Sequence, residues 1–308
     1  MTLNELFLEY DLKRSRSALT AAHNKEALLR KYPALGGLLS EKEDICLQQV
    51  KDSLFRPKDR EAIAADAREK LAQVNETIAG LISPEELASM EPVYECDICK
   101  DTGYDDRRRR KLCTCMVKRI YADLYGAVPT EELTGSFSEY REEIFKNPAQ
   151  QRQAKALRAF SEKYAETAPK PLLIFMGTAG LGKSFTMSCI AKEMAKTRET
   201  VLFISAFSLF HVFHQSRLGS EIPLDPIFEA DVLLIDDLGT EPMTANVTQE
   251  YLFRLLEHRI RKNLPTIFST NMNSTQLKDR YTEKVTSRLF AETHASVLRL
   301  AGDDVRLK

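Results

Sequence analysis

The feature that most constrains this chain is the segment GTAGLGKS, residues 177–184, which fits the pattern G-x-x-x-x-G-K-[ST] at every fixed position. It follows the apolar run LLIFM and precedes FTMSCIAKEMAK, a stretch typical of a helix. In such a loop, glycines let backbone N–H groups face phosphates, lysine reaches the β- and γ-phosphates, and the serine hydroxyl binds Mg²⁺. A chance glycine-rich turn is the alternative, but the strand–loop–helix context favours an ATP or ADP site. Its predicted residues are Gly177, Thr178, Ala179, Gly180, Leu181, Gly182, Lys183, Ser184 and Phe185.

Short apolar runs separated by helical patterns fill the second half of the chain. Strands that are apolar on both faces and alternate with helices are typical of a parallel sheet covered on both sides. The sequence therefore predicts an α/β fold around the phosphate loop. The runs are LLIFMG (172–177), TVLFIS (200–205), DVLLID (231–236), PTIFST (265–270) and SVLRL (296–300).

Polar residues at the ends of two of these runs predict the rest of a catalytic site. Asp236 ends the run in VLLIDDLG and is a candidate Mg²⁺ ligand, and Asp237 is placed to orient or deprotonate the attacking water. Two acidic residues that simply end a strand are the alternative. Asn271, just past FST, could sense the γ-phosphate, although Asn is also common in turns. Arg280 and Arg288 lie eight residues apart, so they share one face of a helix.

The first 90 residues have helical periodicity. Ser40 with Glu43, and Ser83 with Glu86, fit the capping-box pattern at helix starts. A helical bundle that buries its own apolar stripes and a docking surface for another protein are both compatible with this pattern. The N-terminus has no continuous apolar run, and no stretch approaches the roughly 18 apolar residues of a membrane helix. We therefore expect a cytoplasmic location, where clustered cysteines indicate metal binding rather than disulfides.

Cysteines cluster in ECDICKDTGYDDRRRRKLCTC, residues 95–115. The pairs Cys96-x2-Cys99 and Cys113-x-Cys115 supply four thiolates, the number that a closed, structural zinc site needs. Between the pairs, Arg107–Lys111 form a basic run that is either solvated or a secondary contact for DNA or an acidic surface. Net charge is only −1, so any nucleic-acid contact must come from a local patch.

The motifs GTAGLGKS, LLIDDLG, STN and TSRLF, in this order and spacing, resemble the AAA+ ATPases of the DnaC, DnaI and IstB group. ECDICKDTGY…CTC also resembles the zinc-bearing N-terminal region of DnaI-type bacterial and phage helicase loaders. The resemblance implies a five-stranded sheet of order 5-1-4-3-2 without a full C-terminal lid. It assigns nucleotide-site roles to Lys183, Ser184, Asp236, Asp237 and Asn271, and the role of an arginine finger acting on a neighbouring subunit to Arg288. Arg306 is a candidate substitute for the missing lid arginine.

The resemblance also implies partners. In similar loaders and initiators the element SAFSLFHVFHQSRLGS, residues 205–220, contacts single-stranded DNA. Here His211, Arg217 and Phe210 are the candidate contacts, because Arg or His can meet phosphates and aromatics can stack on bases. The alternative is that the phenylalanines form the buried stripe of an ordinary helix.

Two domains joined by a linker are expected from these patterns. Residues 1–125 would form a helical partner-binding domain with a zinc knot at 94–119, residues 126–165 a linker and lead-in helix, and residues 166–308 the AAA+ ATPase. The function implied is an ATP-dependent helicase loader that binds the replicative helicase, self-assembles, and hydrolyses ATP weakly unless stimulated by assembly, DNA or helicase. An IstB-like transposition helper and a nucleotide-gated adaptor with little hydrolysis remain alternatives. A small-molecule kinase is disfavoured because we find neither an acceptor site nor a closing lid.

Overall fold

The computed structural model describes residues 2–108 and 111–307. The chain divides into two compact units, Phe7–Gly103 and Tyr104–Lys308 with Met1–Leu6. Within the described ranges, no helix combines the length and the hydropathy needed to cross a membrane. The domain boundaries expected near residues 125 and 165 stay predictions.

Helices build the first 90 residues of the chain. Leu35, Ile78 and Ile82 pack in their common apolar core. Ser83 caps a helix with the predicted capping box, in which its side chain accepts from the Glu86 amide. The start predicted at Ser40 is wrong, because the helix already begins at Pro33 and continues through that position. The helices are α1 (Leu3–Lys31), α2 (Pro33–Phe55), α3 (Arg60–Leu81) and α4 (Pro84–Ser89), with a 3₁₀ turn at Pro57–Asp59.

The larger unit begins, after residue 103, with a short two-stranded ribbon and a run of short helical elements. The ribbon is antiparallel and pairs Tyr104 with Leu112. These elements are β1 (Tyr104–Asp105), β2 (Lys111–Leu112), α5 (Thr114–Arg119), a π-helical turn at Ile120–Leu124, 3₁₀ turns at Phe137–Glu139 and Glu142–Ile144, and α6 (Pro148–Thr167).

The larger unit contains a five-stranded sheet whose strand pairs are all parallel. Its order is β4-β5-β6-β3-β7, which is 5-1-4-3-2 when counting starts at the strand before the phosphate loop. The predicted order is therefore confirmed. The strands are β3 (Leu172–Met176), β4 (Val201–Ser205), β5 (Val232–Asp236), β6 (Thr266–Thr270) and β7 (Ala295–Arg299). The helices between them are α7 (Lys183–Met194), α8 (Ala206–Arg217), α9 (Asp225–Phe228), α10 (Thr248–Arg261), α11 (Ser274–Arg280) and α12 (Glu283–Phe290).

Both faces of this sheet are buried, as the continuous apolar runs predict. Phe175 and Leu234 pack with Leu157 of α6 and Met187 of α7 in one core. The strand residues that alternate with them, such as Ile174, are also buried, and α10 packs with α8 and α12. After α12 the described residues form β7 and a 3₁₀ turn, with no helical lid among them. Because the strands are parallel, their carboxyl ends share one edge, where ligands of such sheets bind.

Candidate functional site

The phosphate loop leaves the carboxyl end of β3 and enters the first turn of α7. Gly180 has a φ of +72°, and a Cβ there would lie 1.6 Å from a carboxylate oxygen of Asp304. At Gly177, with φ +154°, a Cβ would lie 2.4 Å from the carbonyl oxygen of Leu300. Both positions therefore need glycine, because the loop conformation and the neighbouring backbone leave no room for a side chain.

Lys183 begins α7 and points its ammonium group into this loop. Its Nζ donates to the carbonyl oxygens of Gly177 and Thr178 at 2.8 and 2.6 Å, and to Asn271 Oδ1 at 2.8 Å. Burial lowers the pKa of Lys183, while the charges of Asp237 and Asp236 oppose that shift. The cation is thus held at the place where the sequence motif puts the β- and γ-phosphates.

Ser184 and Asp236 lie side by side across the gap between α7 and β5. The Ser184 hydroxyl donates to Asp236 Oδ1 at 2.9 Å, and the same oxygen accepts a bond from Ser269 Oγ. A hydroxyl and a carboxylate are the oxygen ligands that Mg²⁺ takes in phosphoryl-transfer sites. This donor set therefore fits a magnesium ion. Ser269 is a neighbour that sequence reasoning missed, although it stands in FST just before Asn271.

Asp237 has a left-handed backbone, with a φ of +56°. Its amide donates to Ser269 Oγ at 2.8 Å, which helps to fix this conformation. Burial, together with the charge of Asp236, raises the pKa of Asp237. A carboxylate of raised pKa is a better proton acceptor, the property required of a group that takes a proton from water.

Asn271 connects the lysine of the phosphate loop to this carboxylate. Its Oδ1 accepts from Lys183, and its Nδ2 donates to Asp237 Oδ1 at 3.2 Å. The structure thus joins three sequence-predicted residues that lie on three separate elements.

A cavity of about 470 Å³ opens next to the loop, and its volume suits a nucleotide-sized ligand. Tyr140, Ile144 and Phe145 line it, together with predicted residues such as Phe185. The Tyr140 ring lies 5.6 Å from that of Phe185. The sequence pattern places residues 137–145 in a linker. Their aromatic side chains are the only sequence signal that they could line a cavity. They supply an apolar surface on which a base could pack.

Arg288 does not line the cavity. Its Nε donates to Glu257, and its guanidinium lies 4.9 Å from the centre of the Phe253 ring. The prediction that Arg280 and Arg288 share one helix face is wrong, because Arg280 ends α11 and Arg288 lies on the separate helix α12. Arg280 donates to the buried carboxylate of Glu241. The role of Arg288 as an arginine finger on a neighbouring subunit stays a prediction.

One predicted DNA contact is wrong in this conformation. Phe210 is 3% exposed and packs edge-on against Phe213, so it cannot stack on a base. The spacing of the phenylalanines thus fits the alternative reading, in which they form the buried stripe of an ordinary helix. His211 and Arg217 are exposed. Phe207, at 58% exposure, is the aromatic residue that α8 presents to solvent.

The cysteines come together as the spacing predicts. Four sulfurs, from Cys96, Cys99, Cys113 and Cys115, all lie within 4.8 Å of one another. Zinc–sulfur bonds of about 2.3 Å place tetrahedral ligands roughly 3.8 Å apart, so the cluster fits zinc. The buried carboxylate of Asp101, missed by sequence reasoning, accepts from the amides of Glu95 and Cys96 and so fixes the first cysteine turn.

The basic run between the cysteine pairs is only partly described. Arg107 forms an ion pair with the buried Asp105, with its Nε 3.1 Å from the carboxylate oxygen. Arg109 and Arg110 lie outside the described residues. The suggestion that Arg107–Lys111 contact DNA or an acidic surface therefore stays a prediction.

Curated relatives match part of the chain. Replicative helicase loader DnaI of Bacillus subtilis (strain 168) is 26% identical over 191 residues, which is 61% of this chain and 57% of DnaI. The match thus spans less than two thirds of DnaI's own length. An ATP-binding protein of insertion sequence IS232 from Bacillus thuringiensis subsp. berliner is 23% identical over 218 residues, or 68% of this chain and 80% of that protein.

Solved structures give similar matches. A crystal structure of DnaI covers 56% of this chain and 95% of its own, at 26% identity and a TM-score of 0.46. A crystal structure of the DnaC helicase loader covers 54% and 98%, at 21% identity and a TM-score of 0.42. A sequence profile described as IstB-like ATP binding protein matches residues 133–308, more than half of the chain. The chain therefore belongs to the family of IstB-like ATP-binding proteins, as the combined resemblance of its motifs implies.

Proposed function

We propose that this protein is an ATPase that loads a replicative helicase onto single-stranded DNA in the cytoplasm. The hydrogen-bonded chain Lys183–Asn271–Asp237 carries the ATPase part of the proposal, because it joins the phosphate loop to a water-orienting carboxylate. Lys183 contacts the β- and γ-phosphates, and the backbone N–H groups of residues 178–184 surround them. Asp237 takes a proton from the attacking water, and Asn271 keeps its carboxylate in place. Mg²⁺, held by Ser184 and Asp236, would offset the negative charge of the phosphates.

We expect hydrolysis to be slow in an isolated subunit. Asp237 is one methylene shorter than the glutamate found at this position in many motors of this type, so the water is held at a different distance. Arg288 completes the site of a neighbouring subunit, so self-assembly through the ATPase unit raises the rate. Its pairing with Glu257 at the surface of α12 is compatible with this role.

The match to DnaI supports the choice of a helicase as partner, since that relative is a replicative helicase loader by name. The helical first unit offers a surface for such a partner. On α2, Leu47, Leu54 and Phe55 are 58%, 69% and 84% exposed. Large apolar side chains clustered in solvent are typical of binding surfaces. The zinc knot, with zinc held by the four cysteines, would stabilise the fold of this region rather than take part in catalysis.

Single-stranded DNA is the second proposed partner. His211 and Arg217 are exposed on α8, and Phe207 replaces Phe210 as the aromatic that could stack on a base. Basic side chains can contact phosphates and an exposed aromatic ring can stack on a base, and single strands present both phosphates and unpaired bases.

Co-elution with the replicative helicase of the same organism tests the proposal. The chain and the helicase are mixed with ATP, with ADP and without nucleotide, and separated by size-exclusion chromatography. We expect a complex whose yield depends on nucleotide. A Leu54→Glu variant should lose the complex while ATP binding persists, and Leu19→Glu on α1, also exposed, is the matched control. Failure of the wild-type chain to bind the helicase under any condition would refute the loader function.

An IstB-like transposition helper is the second candidate. The IS232 relative favours it, because the match covers 80% of that ATP-binding protein of an insertion sequence. Pull-down with a transposase encoded beside the gene separates the two functions: a helper binds the transposase and not the helicase. A nucleotide-gated adaptor with little hydrolysis would bind either partner yet show no cleavage of ATP in a single-turnover assay with DNA present.

A further inference from the structure

The turn that follows β5 carries Asp237 and is closed by hydrogen bonds within itself. The Asp237 carbonyl oxygen accepts from the Thr240 amide at 3.2 Å and from the Thr240 hydroxyl at 2.9 Å. The amide of Gly239, which lies between these two residues, donates to the carboxylate of Glu241 at 2.8 Å. We call residues 237–241 the acidic turn. Its central amide thus depends on the Glu241 side chain for a partner.

Glu241 is a buried carboxylate, 1% exposed, that the proposed hydrolysis does not use. One of its oxygens accepts from the Gly239 amide, and the other accepts from Arg280 Nε at 3.3 Å and from the Tyr281 hydroxyl. Arg280 Nη2 also donates to the carbonyl oxygen of Glu241. Arg280 is the last residue of α11, and Tyr281 follows it. The carboxylate therefore joins the acidic turn to the end of α11.

We propose that Glu241 is a positioning residue for ATP hydrolysis: its carboxylate fixes the acidic turn and thereby holds the Asp237 carboxylate in the direction of the attacking water. Asp237 needs such support, because its left-handed backbone, with a φ of +56°, is unfavourable for a residue other than glycine. Misplacement of a reacting group by about 1 Å can lower a rate about 10²-fold. This inference rests on the proposed ATPase activity.

A role in stability alone would not require this carboxylate. Apolar side chains of similar volume often replace a buried ion pair without loss of stability. They cannot, however, accept a hydrogen bond from the Gly239 amide. The two roles therefore predict different results when the acceptor is removed and the packing is kept.

Glu241→Gln removes the acceptor of the turn with the smallest change in shape. A carboxylate accepts on both oxygens, whereas a glutamine side chain has one accepting oxygen and a donating NH2 group. The guanidinium of Arg280 is the stronger donor, so the glutamine oxygen should face it. The NH2 group then faces the Gly239 amide, where two donors meet, and the acidic turn loses its anchor.

Steady-state hydrolysis and ATP titration of the full chain, with Mg²⁺ and single-stranded DNA, test the proposal. For Glu241→Gln we expect kcat to fall at least about tenfold and the dissociation constant for ATP to stay within about threefold of wild type, because the phosphate loop is untouched. Hydrogen exchange should become faster in the peptide that contains the acidic turn.

Tyr281→Phe is the matched control. It removes the hydroxyl that donates to Glu241, while the bonds from Gly239 and Arg280 remain. We expect a lower Tm, with kcat and the exchange of the acidic turn unchanged at a temperature where both variants are folded. A fall in kcat that follows the fall in Tm equally in both variants would show that Glu241 serves stability only, and would overturn the proposal.

A triple variant, Glu241→Met with Arg280→Met and Tyr281→Phe, keeps the proposal testable if Glu241→Gln does not fold. Apolar packing replaces the polar cluster, but the Gly239 amide again has no acceptor, so the same fall in kcat is expected. Wild-type kcat in this variant would overturn the role of Glu241. If the wild-type chain binds ATP without cleaving it, the proposed ATPase is refuted and the role of Glu241 with it; normal hydrolysis by the wild type and by Glu241→Gln refutes the role of Glu241 alone.

Discussion

Replacing Asn271 with alanine removes the side chain that joins Lys183 of the phosphate loop to the Asp237 carboxylate. Two hydrogen bonds disappear, the 2.8 Å bond from Lys183 and the 3.2 Å bond to Asp237. Lys183 keeps its bonds to the carbonyl oxygens of Gly177 and Thr178, so the lysine stays in place. We therefore expect the affinity for ATP to be retained and the rate of the chemical step to fall.

The expected changes in kcat and in folding stability follow from the two hydrogen bonds that are lost. Loss of one positioned donor at a reacting centre typically lowers kcat by about 10²-fold, or ~2.7 kcal/mol of activation free energy. Because Asn271 is exposed, its two bonds contribute at most about 1 kcal/mol to folding, a shift of roughly 2–4 °C in Tm. The expected result is a hundredfold lower kcat, a dissociation constant for ATP within about threefold of wild type, and a nearly unchanged Tm.

Asn273→Ala is the matched control for this variant. Asn273 caps α11, and its side chain accepts from the Gln276 amide at 2.9 Å. Its loss should cost about 1 kcal/mol of stability without changing kcat. Steady-state hydrolysis, ATP titration and thermal melting on both variants give the comparison. Equal loss of kcat in the two variants, or loss of ATP binding in Asn271→Ala that accounts for the whole drop, would refute the role assigned to Asn271.

Further predictions concern the zinc cysteines, subunit assembly and DNA. With zinc bound, a maleimide should modify only the exposed Cys46, because burial raises the pKa of the Cys189 thiol to about 12 and the metal protects the other four. A chelator should add four adducts while leaving ATP binding intact; five adducts before chelation would show that the cluster holds no metal. Arg288→Ala should lower the assembly-stimulated ATPase rate by about a thousandfold without changing the basal rate of dilute subunits, and an unchanged stimulated rate would exclude a shared site. Arg217→Ala should weaken single-stranded DNA binding and lower the slope of log affinity against log salt by about 0.7, whereas Arg261→Ala should not; an unaltered slope would remove Arg217 from the DNA surface.

The fold of the ATP-binding unit could be predicted from sequence almost completely, because its signals are local. Each apolar run became a strand within one residue of its predicted position, as at Val201–Ser205 and Val232–Asp236. A strand that is buried on both faces is apolar at every position, so the ends of the apolar run coincide closely with the ends of the strand. The phosphate loop and the acidic residues follow the carboxyl ends of parallel strands. The order of the strands alone therefore places them together at one edge of the sheet.

Features that depend on tertiary packing could not be predicted in this way. Tyr140 and Phe145 become cavity walls only because the chain before α6 folds over the phosphate loop. Phe210 has the same local pattern whether its helix faces DNA or the sheet, and packing decides that it is buried. At Ser40 the capping pattern was present, but Pro33 had already set the helix start.

Single-turnover hydrolysis tests the proposed ATPase most directly, since it separates a protein that cleaves ATP from a nucleotide-gated adaptor. The wild-type chain and Asp237→Asn are each saturated with labelled ATP and Mg²⁺ in the presence of single-stranded DNA, and phosphate release is followed over time. We predict that both bind ATP with affinities within about threefold, and that the variant cleaves it at least about a hundredfold more slowly, because its amide cannot accept the proton. Cleavage at the same rate by both proteins would contradict the role of Asp237, and no cleavage by the wild type would show that nucleotide binding alone is its activity.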